Sequence, residues 1–400
     1  MEGNNVFILG AGFSHGCGHP LMKNFIDCGL DRIKDSNDSN AKAAAQRFLD
    51  ARKTTGMLIK EQNLNNIEEF LTGLSDLQQP REQRIMTDRL MDDVRDFIVA
   101  TLRYTENREP KILTPLSIAH RKYNNLFDRM TPTGSETKTL VPIPEDDNRV
   151  IVSYPEVFLF LVSVDSKDDN PDIIVNFNYD LVIEKVALKE RSEVFKVVYP
   201  ELGEEGVLGD GPITIHMVKP NGSANWINCD TCQKVFALKD YVYAGSPCPK
   251  CGGFATRPYI QPPGVKDSVA VLQQKHRLDT IVSKAKHIGV FGYSFPKGDH
   301  AYYHQFRRGF LDHIQYPRIS IFDPDNNLKT NSPNFAKLDN DLTMRDKVSW
   351  SPIDKRKILS LTYQTQEELY KAEYLFGQPV PGLFGLIADV FGKGKVDLLS

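Results

Sequence analysis

The sequence predicts an α/β protein built on a doubly wound parallel sheet, with a helical insertion and a small metal-binding ribbon. Three observations predict it. Short apolar runs alternate with stretches of helical spacing. One long stretch, about Ser36 to Pro144, has helical spacing of apolar residues and no strand-like run. Four of the six cysteines stand in two close pairs.

Taken in order, Val6 to Leu9 reads as a buried strand, followed by a Gly-rich turn and a helix beginning near Pro20. Ala41 to Arg52, Asn65 to Leu77, Glu82 to Tyr104 and Pro115 to Arg129 carry the helices of the insertion. Pro132 to Asp147 is polar and reads as an exposed loop. Strands return at Ile173 to Val175, Val194 to Tyr199, Ile213 to Val218, His287 to Phe291 and Arg318 to Phe322. Helical stretches separate several of them, at Leu181 to Lys189, Val269 to Lys284 and Ala301 to His313. Strands apolar along their whole length and alternating with helices imply a parallel sheet covered on both faces. Beyond about Asn331 the pattern does not recur. Gly382 to Leu399 reads either as a docking or oligomer-contact helix or as a solvated tail. The expected units are a sheet domain at 1–34 and 151–330, an insertion at 35–150, a ribbon at 224–260 and a C-terminal segment at 331–400.

Four hundred residues, 40% of them hydrophobic, suffice for a substantial core. A net charge of −3 gives no direct footprint for nucleic acid. No apolar run is long enough to span a bilayer, and the polar start lacks the pattern of a signal peptide, so no membrane contact and a cytoplasmic location are expected. Six cysteines are too few for a disulfide framework in a chain of this length.

Cys229-x-x-Cys232 and Cys248-x-x-Cys251 have the spacing of a four-thiolate zinc ribbon. Such a site is closed, so its zinc is structural. Cys17 and Cys28 read as small packed side chains.

Gly10-Ala11-Gly12-Phe13-Ser14 follows the first strand, where glycines let a backbone approach a diphosphate. The full dinucleotide fingerprint needs a third small residue where His15 stands. Asn176 to Asp180, Asn221-Gly222-Ser223-x-x-Trp226 and Gly292 to Asp299 supply three more polar segments, two of them closing strands. Each alone fits an ordinary capped loop. Together they outline a Rossmann-like ligand crevice at the carboxyl edge of the sheet.

The order of these motifs resembles the sirtuins, the silent-information-regulator family. The matching segments are Gly10 to Ser14, Gly18-His19-Pro20, Asn178-Tyr179-Asp180, Asn221-Gly222, the four cysteines and Gly292-Tyr293-Ser294. Asn66-Ile67-Glu68, Gly222-Ser223-Ala224-Asn225-Trp226 and Gly292 to Asp299 are similar to segments of the sirtuin-like NADases of bacterial antiphage defence. The resemblance implies NAD as substrate and NAD⁺ hydrolysis to nicotinamide and ADP-ribose. It also implies a homo-oligomer and, in some systems, a HerA-type ATPase partner. It places catalytic roles on Asn178, Asp180 and Asn221, and cofactor binding on Gly10, Ala11, Gly12, Phe13, Ser14, Gly292, Ser294, Asp299 and Asp323. Asn178 would position water and a ribose hydroxyl, with a task for its amide only when ligand is present. Asp180 would supply negative charge or brace its loop.

Two departures bear on the chemistry. Leu21-Met22-Lys23 replaces the Asp-Phe-Arg of deacylating sirtuins, and Asn221 stands at the family's catalytic histidine. A deacylase needs that base to deprotonate a ribose hydroxyl, whereas hydrolysis can use an oriented water. The departures therefore favour an NAD⁺ hydrolase over a protein deacylase. They also keep open a non-catalytic scaffold that binds NAD or ADP-ribose. His15, His19 and His216 are the alternative bases, although a lone histidine is more often packed.

Overall fold

The structure, a computed structural model, describes residues 5–15, 17–58, 66–76, 84–107, 171–189, 194–261, 278–294, 296, 299–311, 318–322 and 350–352. The helix expected at Pro115 to Arg129, the loop at Pro132 to Asp147, Asp323 and the stretch Gly382 to Leu399 lie outside these residues.

The first strand, β1 (Asn5–Leu9), is buried on both faces. Its alternation divides the core. Phe7 and Leu9 face one apolar cluster with Ile174, Ile215, Met217 and the helical Val182, Ile183 and Val186. Val6 and Ile8 face another with Val175, Ile288, Val290 and the helical Leu278, Val282, Tyr302 and Phe306. A strand flanked by apolar layers on both sides must be apolar throughout, as this one is.

β1 pairs in parallel with β2 (Ile173–Asn176) on one side and β9 (His287–Phe291) on the other. Beyond β2 lie β5 (Ile213–Val218) and β3 (Phe195–Val198), both parallel. Beyond β9 lies β10 (Arg318–Phe322). The tail departs from expectation: Trp350–Pro352 forms a further parallel strand, β11, on β10. Three residues are too few to leave a periodic signal. β4 (Val207–Leu208) is the antiparallel exception, because a tight 3₁₀ turn at Pro200–Gly206 returns the chain directly beside β3.

The chain winds outward from β1 in one direction through β2, β3 and β5, then crosses to the other side at β9. The switch in winding flanks β1. Register aligns Leu9 with Asn176 and Phe291, so the residues after these three strands share one edge. This is where open α/β sheets bind ligands.

Helices α2 (Phe25–Lys34), α3 (Ser39–Leu58), α4 (Ile67–Asp76) and α5 (Arg84–Asn107) share a separate core. That core takes in α2, which the sequence reading had placed in the sheet domain. On α3, Ala41, Ala44, Ala45, Phe48 and Ala51 are buried at helical spacing. Phe48 stacks on Phe97 of α5 with ring centroids 4.0 Å apart. A Cβ on Gly29 of α2 would lie 2.3 Å from Thr101 Oγ1, so glycine permits the close approach of α2 and α5. The same cluster takes in Tyr179, Leu181, Ala224 and Ile260, and Arg95 Nε donates to Ile260 O at 3.0 Å. The insertion is thereby packed against the strand-end loops. No described helix is long and apolar enough to cross a membrane.

Candidate active site

The Gly-rich segment forms a one-turn helix, α1 (Ala11–His15), immediately after β1, and the next long helix begins only at Phe25. Gly10 N–H donates to Phe291 O at 3.0 Å, Gly12 N–H to Gly292 O at 2.9 Å, and Phe13 N–H to Gly10 O at 2.9 Å. A Cβ on Gly10 would lie 2.5 Å from Gly292 O, and one on Gly12 2.8 Å from Gly292 Cα. Gly292 itself has a φ of 58°. These glycines thus have a packing cause, the backbone contact between the loops after β1 and β9.

Asn178 is buried, and its Nδ2 donates to Gly10 O at 2.8 Å and Ser14 Oγ at 3.0 Å. Its amide therefore has a structural task without any ligand, contrary to the sequence expectation. Asp180 braces its loop. Its Oδ1 accepts from Val182 N–H at 3.1 Å, an Asx turn just before the helix α6 (Val182–Glu184), and its carbonyl accepts from Lys219 Nζ at 2.6 Å.

Asn221 follows β5 and precedes β6 (Gly222–Cys229). Its Nδ2 donates to Phe177 O at 3.2 Å, while its buried Oδ1 has no hydrogen-bond partner among the described residues. The alternative bases stand differently. His19 is buried, and desolvation pushes its imidazole down to about 4 despite nearby Asp180. His15 Nδ1 lies 2.8 Å from the carbonyl of His19, and His216 sits mid-strand in β5.

Asp299 is buried beside the loop after β9. Its Oδ2 accepts from Tyr293 OH, and its Oδ1 has no hydrogen-bond partner among the described residues. Tyr293 stacks on Phe177 with centroids 4.4 Å apart, which joins this loop to the one after β2. Tyr302 of α7 (His300–Leu311) donates to Pro220 O at 2.8 Å, next to Asn221. Ser294 of the same segment is exposed. The carboxyl of Glu68, in the first turn of α4, lies close enough to Asp299 for the Asp299 carboxyl to disfavour its charge. Desolvation is the largest effect on both carboxyls and holds both well above the usual range; repulsion from Asp299 and Glu69 adds to it at Glu68, while the Tyr293 hydrogen bond lowers Asp299. The sequence reading quoted Glu68 within a motif without assigning it to the site. The placement of α4 is what brings it there.

Lys219, fully buried, ties the loops together from beneath. Its Nζ reaches Asp180 O and Glu184 Oε1, the latter at 2.9 Å, and Tyr199 OH donates to the same carboxylate oxygen at 2.7 Å. Lys219→Met should lower stability by about 3–5 kcal/mol, because Glu184 then keeps a buried charge without its cation. Denaturant unfolding measures the loss, and adding Glu184→Gln should recover part of it. Equal loss in the single and double variants would show that packing of the lysine stem, and not charge, sets the effect.

The four ribbon cysteines lie beside β6, β7 (Lys234–Ala237) and β8 (Thr256–Ile260), which form their own antiparallel sheet. Their Sγ atoms all lie within 4.8 Å of one another, with Cys229–Cys251 and Cys232–Cys248 at 3.8 Å. Bonds of about 2.3 Å to a tetrahedral zinc require S···S edges of about 3.8 Å. The two knuckles share one turn: Gln233 after Cys232 and Gly252 after Cys251 both have positive φ, 55° and 70°. The geometry fits a single structural zinc ion.

No known protein family matches the chain, and no curated protein matches it. Among solved structures it is similar to a Sir2 homologue in complex with NAD, at 14% identity, covering 93% of this chain and 91% of that chain with a TM-score of 0.38. A substituted Sir2 homologue with 2′-O-acetyl ADP ribose matches at 14% identity, 93% and 94% coverage and a TM-score of 0.36. A Sir2 structure with an inhibitor, 2′-O-acetyl-ADP-ribose and a deacetylated peptide matches at 10% identity, 92% and 94% coverage and a TM-score of 0.35.

Proposed function

We propose that this chain binds NAD⁺ at the carboxyl edge of its sheet and hydrolyses it to nicotinamide and ADP-ribose. The observation that carries this reading is a pair of buried acceptors without partners among the described residues, Asn221 Oδ1 and Asp299 Oδ1, near the winding switch. A buried acceptor without a donor is costly, and the hydroxyls of a ribose are donors of the right kind. NAD⁺, when bound, supplies a leaving group that departs neutral from a cationic glycoside, so no general acid is required. Asn178 holds the Gly10 and Ser14 segment and keeps its own Oδ1 for a hydroxyl or water. Asn221 orients from the facing loop. Gly10 to Ser14, Gly292, Ser294 and Asp299 line the cofactor side of this proposal, with Asp323 beyond the described residues. The motif likeness extends the proposal to NAD depletion in antiphage defence by a homo-oligomer, with a HerA-type ATPase as partner.

The test is release of nicotinamide and ADP-ribose from NAD⁺ by the purified full chain. Asn178→Ala should reduce it by at least roughly 10²-fold, the scale of losing one preorganised donor or acceptor at a reacting centre. A thermal melt must accompany the assay, because the same change removes the tie to Gly10 and Ser14. Unaltered turnover in this variant counts against the site. One observation favours a second reading: with asparagine at 221, the site is also that of a module that binds NAD or ADP-ribose without cleaving it. Saturable binding with no product would decide for that module.

A further inference from the structure

We infer that Lys219 is a positioning residue: its buried ammonium sets the spacing between the loop that carries Asn178 and the turn that carries Asn221, and cleavage of NAD⁺ depends on that spacing. The inference rests on the NAD⁺ reading above and adds a residue that acts through its neighbours.

Lys219 directly follows β5 and is fully buried. Its carbonyl accepts from Gly222 N–H at 3.0 Å, which closes a four-residue turn with Pro220 and Asn221 at its centre. Proline presets the backbone at the first central position of such a turn. The backbone N–H of Lys219 donates to Glu201 Oε1 at 3.1 Å. The main chain of the lysine is thus held on the Asn221 side, while its side chain reaches the other loop. Nζ donates to Asp180 O at 2.6 Å, two residues beyond Asn178, and Asn178 in turn holds Gly10 O and Ser14 Oγ. One residue therefore joins the turn that presents Asn221 to the loop that presents Asn178.

The second partner of Nζ fixes its direction. Glu184 Oε1 accepts from Nζ at 2.9 Å and from Tyr199 OH at 2.7 Å. The Tyr199 ring packs edge-on against Trp226 of β6, with centroids 5.0 Å apart. Glu184 stands on α6, just after the Asp180 loop, so the ammonium grips that segment at two points. Two further bonds cross between the same segments, Asn221 Nδ2 to Phe177 O at 3.2 Å and Ala224 N–H to Tyr179 O at 2.9 Å. Both join neutral groups, whereas the lysine bonds are charge-assisted and roughly twice as strong.

A buried ion pair is a poor source of stability. Desolvation offsets the attraction, and apolar residues of like volume hold a core as well or better. Glu184 Oε2 has no hydrogen-bond partner among the described residues, which adds to the cost of this pair. What the pair supplies and an apolar pair cannot is direction, because an ammonium bonded to a carboxylate and a carbonyl has one place to sit. Reacting groups displaced by about 1 Å can lose about 10²-fold in rate.

The test separates position from stability. Lys219→Met is compared with a triple variant, Lys219→Met with Glu184→Leu and Tyr199→Phe, which leaves no charge or hydroxyl of the cluster behind. Tm, NAD⁺ cleavage and hydrogen exchange of Ala224 N–H are measured on the full chain. Lys219→Met should lower Tm, lower kcat by about 10- to 100-fold with KM little changed, and speed exchange at Ala224. The triple variant should regain much of the Tm while kcat stays low and exchange stays fast. Return of kcat together with Tm overturns the inference, because the cluster would then be a core element only. Unaltered exchange at Ala224 in both forms overturns it as well. Should Lys219→Met fail to fold, the triple variant decides alone: slow cleavage supports the inference, and cleavage as fast as in the unsubstituted chain refutes it. Failure of the NAD⁺ reading is distinct: no form, the unsubstituted chain included, binds or cleaves NAD⁺, while exchange at Ala224 still responds to loss of the lysine.

Discussion

Asn221→His is expected to raise NAD⁺ cleavage by roughly 10²–10⁴-fold near neutral pH, the ordinary contribution of a positioned general base. The structure supplies the geometry for that gain. The amide of Asn221 already donates to Phe177 O, and a neutral imidazole can make the same bond with one ring N–H. Its other nitrogen would then take the place of Oδ1, the atom that now has no partner. A carboxamide and an imidazole are close enough in size for a site that is 2% exposed to accept the exchange. The gain should fade as pH falls through the imidazole pKa, about 6.5 unperturbed and lower where burial dominates. Cleavage across the neutral range for both forms measures it. A histidine form no faster anywhere would mean that position 221 does not face the ribose.

Removal of zinc is expected to unfold the ribbon, with a loss on the order of 10 kcal/mol for the small zinc domain. The physical reason is the size of its core. Ile227, Phe236 and Val242 are buried there together with Cys229 and Cys248, which is little apolar surface to offset chain entropy. Chelation, or replacement of all four cysteines by serine, should abolish hydrogen-exchange protection in β7 and the 229–256 loops. The sheet around β1 should keep most of its protection, because its two apolar layers are built mainly by its own strands and helices, with only Trp226, Ala237 and Tyr259 buried in them from the ribbon strands. Metal analysis should find one zinc per chain. Zinc-free protein with a protected ribbon would refute the assignment.

The sequence by itself determined the parts whose cause is local. Val6 to Leu9 is apolar throughout because both faces of β1 are covered, so the pattern records the layers. The cysteine spacing records the zinc tetrahedron in the same way: a short turn within each pair lets its two sulfurs join the same four-sulfur cluster. The strand-end positions of Gly10, Gly292 and Asn178 were legible for the same reason, as the glycines directly follow apolar runs and Asn178 stands three residues after one. What those residues do there was not legible. Asn178 bonds to Gly10 and Ser14, and the glycines pack backbone on backbone, through contacts between segments far apart in the chain. Lys219 meets Glu184 only because parallel crossovers bring them together. Periodicity describes which face of an element is buried, and carries no information on which other element covers it. That choice belongs to the tertiary structure, where a charge buried without a partner costs more than any local preference can offset.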